Sequence, residues 1–163
     1  MIQAGDHLPS VTVKFIDATG VSDADTGRLL AQGRIVLFGV PGAFTPTCDT
    51  SHLPGFVGAA DRLRAAGIDR IVCATVNDHH VTKLWAERSN AVGKVDFIAD
   101  AHAQFAEAMG LVKDFSDLGR RFARFAMIAR DGVVEQIFVQ DVKGVTVSGA
   151  PAILLALQGE AVA

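Results

Sequence analysis

The chain has 163 residues, half of them hydrophobic and a fifth charged, with a formal net charge of −3. That is enough apolar material for one folded core, so a disordered chain is excluded and a single domain over 1–163 is expected. No basic block or aromatic–basic interleaving suggests nucleic acid, no apolar run nears the ~20 residues of a membrane span, and no charged leader precedes an apolar stretch, so no signal peptide is expected. Two cysteines, Cys48 and Cys73, are too few for a disulfide scaffold and fit a redox protein of the cytoplasm.

Val11 to Phe15 alternates as a short strand, and Asp17 to Gly33 is turn-rich, with Gly20, Asp23, Asp25 and Gly27. Ile35 to Val40 is a continuous apolar run, the pattern of a central strand covered on both faces. A helix carrying Cys48 is expected to run through Phe56 to Ala66, kinked at Pro54, which lacks a backbone donor. Ile71 to Val76 reads as a second central strand. His79 to Ala91 reads as a helix capped by Asn77 or Asp78, Val95 to Ala99 as a third strand, and Ala101 to Met109 as a helix closed by Gly110. Phe122 to Ala129 and Val133 to Val139 flank Asp131-Gly132, a strong hairpin signal. Pro151 opens a last helix to Leu157. This alternation places the chain in the α/β class with a mixed sheet.

Gly39 to Cys48 is the segment with the clearest chemistry. Thr45 is a good N-cap and Pro46 suits the first helical position, which puts Cys48 third in the helix. Backbone N–H groups of the first turn lack helical partners and the dipole there is positive, so a thiolate at this point is favoured. A buried structural cysteine satisfies the same spacing.

Pro41-Gly42-Ala43-Phe44-Thr45-Pro46-Thr47-Cys48, followed by Ser51-His52-Leu53-Pro54-Gly55-Phe56, resembles the active-site segment of the peroxiredoxins, in their type II or type 5 branch. Val76-Asn77-Asp78 with Val81, Thr82 and Trp85 is similar to that branch's strand–helix junction, and Arg120 to Ala126 resembles its arginine-bearing strand. The resemblance runs from about Gly5 to the C-terminal helix. It implies a thioredoxin-like fold, a central mixed β-sheet flanked by helices. It implies a thiol peroxidase that reduces hydrogen peroxide and small organic hydroperoxides without metal, haem or flavin cofactor.

By the same resemblance Cys48 is the peroxidatic nucleophile, Thr45 contacts the peroxide, Pro41 shields the thiolate from water and Arg124 stabilises thiolate and peroxide. Read from the residues alone, Thr45 is a helix cap, Pro41 a strand stop, and Arg124 an arginine with its head in solvent, since a charge in an apolar strand needs a partner or an exit. Arg120 and Arg121 read as solvated or paired with acids. His52, four residues beyond Cys48, shares its helix face. It reads as a hydrogen-bonding scaffold residue, because neither Asp49 nor His79-His80 completes a metal-ligand pattern with it.

Cys73 reads as a small core hydrophobe, with a resolving thiol as the alternative. Some type II relatives carry a resolving cysteine near the C-terminus; Val147 holds that place here. External thiols, glutathione with glutaredoxin or a thioredoxin, are then the expected reductants, and the family's habit implies a homodimer. Two other functions stay open on the residues: a thiol–disulfide oxidoreductase, disfavoured because Cys48 lacks a Cys-x-x-Cys partner, and a peroxide sensor or chaperone.

Overall fold

A computed structural model describes residues 1–141 and 144–162, with side chains to residue 159. Its centre is built by the two apolar runs. β3 (Arg34–Val40) and β4 (Arg70–Thr75) pair in parallel, and β5 (Asp96–Ala99) continues the parallel set beside β4. Six of the seven residues of β3 are buried, which is why that stretch shows no polar alternation. Antiparallel neighbours complete a seven-stranded mixed sheet in the order β2-β1-β5-β4-β3-β8-β9, where β1 is Thr12–Asp17, β2 Gly20–Asp25, β8 Phe125–Arg130 and β9 Val133–Val139. The expected mixed sheet of the α/β class is thus present.

The hairpin closes as Asp131-Gly132 predicts. Arg130 pairs with Val133, and both turn residues have positive φ, 50° and 83°, the conformation that a two-residue type I′ turn requires. Asp78 caps the helix α3 (His79–Arg88), accepting from the Val81 N–H at 2.9 Å, so of the two cap candidates it is Asp78 that serves. α4 (Gln104–Met109) starts later than Ala101 because the buried Asp100 carboxylate accepts from the Phe105 and Ala106 N–H groups. Gly110, at φ 69°, closes it.

Three elements depart from the sequence expectation. The turn-rich stretch after Asp17 contains β2 and a four-residue helix, α1 (Thr26–Leu29). β2 is an exposed edge strand, and its polar composition is what an edge tolerates. The Phe122–Ala129 strand is two strands in two sheets. β7 (Gly119–Phe122) pairs with β6 (Val112–Phe115) in a small separate sheet, and β8 begins only at Phe125. Ala123 and Arg124 form the joint between them. The irregularity expected at Pro54 lies before it: Cys48–His52 is a π turn, in which the Leu53 N–H reaches back to the Cys48 carbonyl, and regular helix α2 (Leu53–Ala65) follows with Pro54 in its first turn.

Two apolar layers cover the sheet. On one face Val36, Phe38, Val40, Ile71 and Cys73 meet Cys48, Phe56, Leu63, Trp85 and Ile153, contributed by the π turn, α2, α3 and α5 (Ala150–Val162). On the other, Ile35, Leu37, Val72 and Ala74 meet Leu30, Phe105, Met109 and Phe122. Period-two alternation along β3 and β4 sorts these residues, and it puts Cys73 on the same face as Cys48. Gly39 is required by a close approach: a Cβ there would lie 2.2 Å from the Phe125 ring, which crosses β3 next to Arg124.

Candidate active site

Cys48 stands where β3 gives way to helix. Pro46 is the first helical residue and Cys48 the third, as the spacing implies. Thr45 is not a side-chain cap, however. Its hydroxyl donates to the Gly42 carbonyl at 2.7 Å, while its own carbonyl accepts from the Asp49 N–H at 2.9 Å. The hydroxyl therefore braces the loop before the helix and keeps its lone pairs free. Phe44, at φ 62°, turns that loop in a left-handed conformation.

The loop is pinned from below by two residues of neighbouring strand ends. Asn77 accepts from the Ala43 N–H at 2.9 Å and from the Thr75 hydroxyl. The Arg121 guanidinium donates to the carbonyls of Val76 at 3.2 Å, Pro41 at 3.5 Å and Leu118 at 3.0 Å. Arg121 is thus neither solvated nor paired with an acid, a correction to the expectation; Arg120 does form an exposed ion pair with Glu107. In the sequence nothing separates these adjacent arginines. Asp49 is held by the Trp85 indole N–H at 2.8 Å, so α3 also fixes the π turn.

Cys48 is fully buried, and its sulfur accepts a hydrogen bond from Arg124 Nη2 at 3.1 Å. Arg124 reaches it because the break between β7 and β8 releases its side chain from the pleat. The same guanidinium donates through Nη1 to His52 Nδ1 at 2.8 Å, and His52 Nε2 lies 2.8 Å from the Ser148 carbonyl. Burial first, and then the Arg124 cation, push the His52 imidazole down to about 3, so it is neutral at ordinary pH. With Arg124 already serving both Cys48 and His52, that pair presents a cation-binding side chain to a cation and is poorly suited to a metal ion. Among the described residues no set of three His, Cys, Asp or Glu side chains gathers as metal ligands.

Pro41 is buried beside this group, and a cavity of about 330 Å³ touches Pro41, Thr47 and Arg124 on one side and Lys113, Phe115 and Gln140 on the other. The four residues singled out from the sequence, Pro41, Thr45, Cys48 and Arg124, therefore lie at one end of the sheet. Arg121 and Asn77 are the site residues whose roles the sequence did not disclose; His52 is the hydrogen-bonding residue it was read as, with partners the sequence did not give. Cys73 sits in the interior of β4, opposite Phe38 of β3 and Phe97 of β5, fully buried, and burial pushes its thiol up. Val147 is exposed on the loop before α5.

Residues 3–154 match the Redoxin family. Over 159 residues, 96% of this chain and 98% of the relative, the sequence is 40% identical to Peroxiredoxin-2D of Arabidopsis thaliana. It is 42% identical over 164 residues, 96% of this chain and 72% of the relative, to the chloroplastic Peroxiredoxin-2E-2 of Oryza sativa subsp. japonica. The crystal structure of reduced Prx3 from Vibrio vulnificus in complex with hydrogen peroxide matches with a TM-score of 0.92 at 41% identity, covering 99% of each chain. Agreement over nearly the whole chain, in sequence and in fold, makes this protein a member of the Redoxin family, with the thioredoxin-like fold of a type II or type 5 peroxiredoxin, a thiol peroxidase.

Proposed function

We propose that Cys48 is the peroxidatic thiolate and that hydrogen peroxide and small organic hydroperoxides are its substrates. The observation that carries this is the 3.1 Å hydrogen bond from a guanidinium to a thiol with no exposure. The guanidinium is a charge-assisted donor held against the sulfur, and the cation persists when charge moves from sulfur to oxygen. The thiolate attacks one peroxide oxygen, the O–O bond breaks, and the second oxygen leaves as hydroxide or alkoxide and takes a proton. Sulfur is oxidised by two electrons to sulfenic acid and the peroxide is reduced to water or an alcohol. Arg124 holds charge on both sides of this transfer, Thr45 offers its hydroxyl lone pairs to the peroxide proton, and Pro41 keeps water from the sulfur.

Turnover is closed by an external thiol. Cys48 sulfenic acid condenses with the incoming thiol, releasing water and leaving a mixed disulfide. A second thiol then cleaves it and restores Cys48. Glutathione with glutaredoxin, or a thioredoxin, is the proposed donor. Val147 cannot form a disulfide and Cys73 is packed within the sheet. The protein works as one domain over 1–163 in the cytoplasm, as a homodimer; Phe44, 44% exposed at the tip of the site loop and packed on Trp85, is an apolar surface such a contact would cover.

Peroxide consumption measured with glutathione alone, glutathione plus glutaredoxin, and thioredoxin plus its reductase tests the assignment. Consumption supported by one of these and absent in Cys48→Ser is expected. Equal consumption by Cys48→Ser would remove Cys48 from the chemistry.

A further inference from the structure

The contacts of Arg124 extend beyond Cys48. His52 is 1% exposed and tilted against Phe38 and Phe56, with ring centroids 5.0 and 5.6 Å away. An aromatic ring would fill that place equally well, so packing alone does not explain an imidazole there. Its two nitrogens have unlike partners. The Ser148 carbonyl can only accept, so Nε2 carries the hydrogen; the Arg124 guanidinium can only donate, so Nδ1 carries the lone pair. Both ends are satisfied in only one tautomer.

That tautomer has its own support. The Ser148 carbonyl belongs to the loop between β9 and α5, and the loop is braced by Gln140, 8% exposed at the end of β9. Gln140 Oε1 accepts from the Thr146 N–H at 3.0 Å, the Ser148 hydroxyl at 3.0 Å and the Ser148 N–H at 3.4 Å, and Nε2 donates to the Thr146 hydroxyl at 2.7 Å. The Gln140 N–H in turn donates to the Arg124 carbonyl at 2.8 Å. Arg124 is thus held at its backbone and at its head by the same brace.

We propose that His52 is a positioning residue of the peroxidase reaction. Its Nδ1 takes one arm of Arg124 so that the other arm stays on the Cys48 sulfur, and the Gln140-braced loop supplies the carbonyl that keeps the ring in the required tautomer. The proposal rests on the role given above to Cys48 and Arg124. A guanidinium free to rotate on its long stem would spend much of its time pointing into the adjacent cavity. Anchoring one arm removes that freedom before the peroxide arrives, which is how preorganised donors act. Among the described residues, Arg124 from the β7–β8 joint, His52 and Asp49 from the same π turn and Cys73 from β4 are the titratable and charged groups nearest the sulfur, and Lys113 and Asp141 line the cavity beside Arg124.

The test is a series at position 52 measured together with Arg124→Ala. His52→Phe keeps ring volume and loses both hydrogen bonds. His52→Asn keeps an acceptor near the Nδ1 position, and His52→Gln keeps a donor near the Nε2 position. Sulfenic acid formation, followed by rapid mixing with hydrogen peroxide, should fall roughly ten-fold or more in His52→Phe and His52→Gln, a part of the 10²–10³ that a lost transition-state donor costs. His52→Asn should recover most of that rate.

A double variant, Arg124→Ala with His52→Phe, should react no more slowly than Arg124→Ala alone, because His52 acts through Arg124. Gln140→Met, which leaves the imidazole in place, should slow the same step less than His52→Phe does. It keeps the proposal testable where a position-52 variant melts early. Additive losses in the double variant, or equal rates for His52→Phe and wild type, would overturn the proposal. An unchanged rate in Arg124→Ala itself would strike the assignment of Arg124 instead, so the two failures are distinct.

Discussion

Cys48 and Cys73 are both completely buried, on the same face of one sheet and within one apolar layer. Exposure does not separate them; the difference lies in what stands beside each sulfur. Cys48 opens a π turn, where a guanidinium reaches it at 3.1 Å. Cys73 is in mid-strand between two paired strands, and burial, followed by the nearby Cys48 sulfur, pushes its thiol up, with Arg124 offsetting only part. Burial that pushes one thiol up therefore coexists, within the same layer, with a second sulfur that a guanidinium touches. The neighbouring cation, rather than access to solvent, is what distinguishes the two sulfurs.

The largest effect that can break this comparison is at Cys48 itself. Cys48→Ser should abolish peroxide consumption while far-ultraviolet circular dichroism stays unchanged, since a hydroxyl of similar size replaces the thiol. Next comes the cation. Arg124→Ala should slow sulfenic acid formation by roughly 10²–10³-fold, the range for a lost donor at a developing charge. Stopped-flow oxidation by hydrogen peroxide reads it directly, and a wild-type rate would reduce Arg124 to a structural residue and leave the two cysteines without their distinguishing partner.

A smaller, sharper consequence concerns stability. His52 is neutral in the folded protein, pushed from its ordinary 6.5 to about 3, whereas the unfolded chain binds a proton there below 6.5. The unfolded state thus binds more protons between those values, and the folded state loses stability as pH falls through that window, by roughly 1.4 kcal/mol per pH unit once well below 6.5. Urea unfolding at a series of pH values from neutrality to about pH 5, above the ordinary carboxylate range, should show this slope in wild type. The slope should be missing from His52→Asn. If the two proteins lose stability in parallel, the imidazole is not held neutral by its buried place beside Arg124.

Much of this arrangement could be read from the chain because local rules and tertiary demands agree there. The apolar run at Ile35–Val40, the Asp131-Gly132 turn and the Asp78 cap each satisfy a short-range requirement that the fold also needs. Cys48 was legible through the helix start that precedes it. Arg124 was legible as a charge in an apolar run, but not its release, because Phe122 and Phe125 belong to different sheets and composition does not mark a change of sheet. The roles of Arg121 and Asn77, and the partners of His52, were out of reach for a common reason. Each acts on backbone atoms or side chains distant in sequence, His52 on Ser148 and Arg124, Arg121 on Pro41 and Val76, and Asn77 on Ala43.

The smallest expected effect tests the other cysteine. For Cys73 to resolve Cys48, the two Cα atoms must approach within about 7 Å with their Cβ vectors converging. Cys73 would also have to be reached in the interior of β4, opposite Phe38 and Phe97. A cavity beside Pro41, Thr47 and Arg124 offers an incoming small thiol a place next to the guanidinium that touches Cys48. Cys73→Ser should accordingly keep most peroxidase activity with glutathione as reductant, and lose about 1–3 kcal/mol of stability if its hydroxyl finds no partner. Cys73→Ala, which buries no hydroxyl, separates the loss of a thiol from the cost of a polar group. Intact-mass and peptide mass spectrometry after peroxide treatment without added thiol should show Cys48 as sulfenic and then sulfinic acid, because no internal thiol competes with a second peroxide. Adding glutathione should convert the sulfenic form into a mixed disulfide at Cys48. A dominant Cys48–Cys73 bridge within one chain, together with lost turnover in both Cys73 variants, would show that β4 opens during catalysis and that the second thiol, silent in the reduced fold, takes part in the cycle.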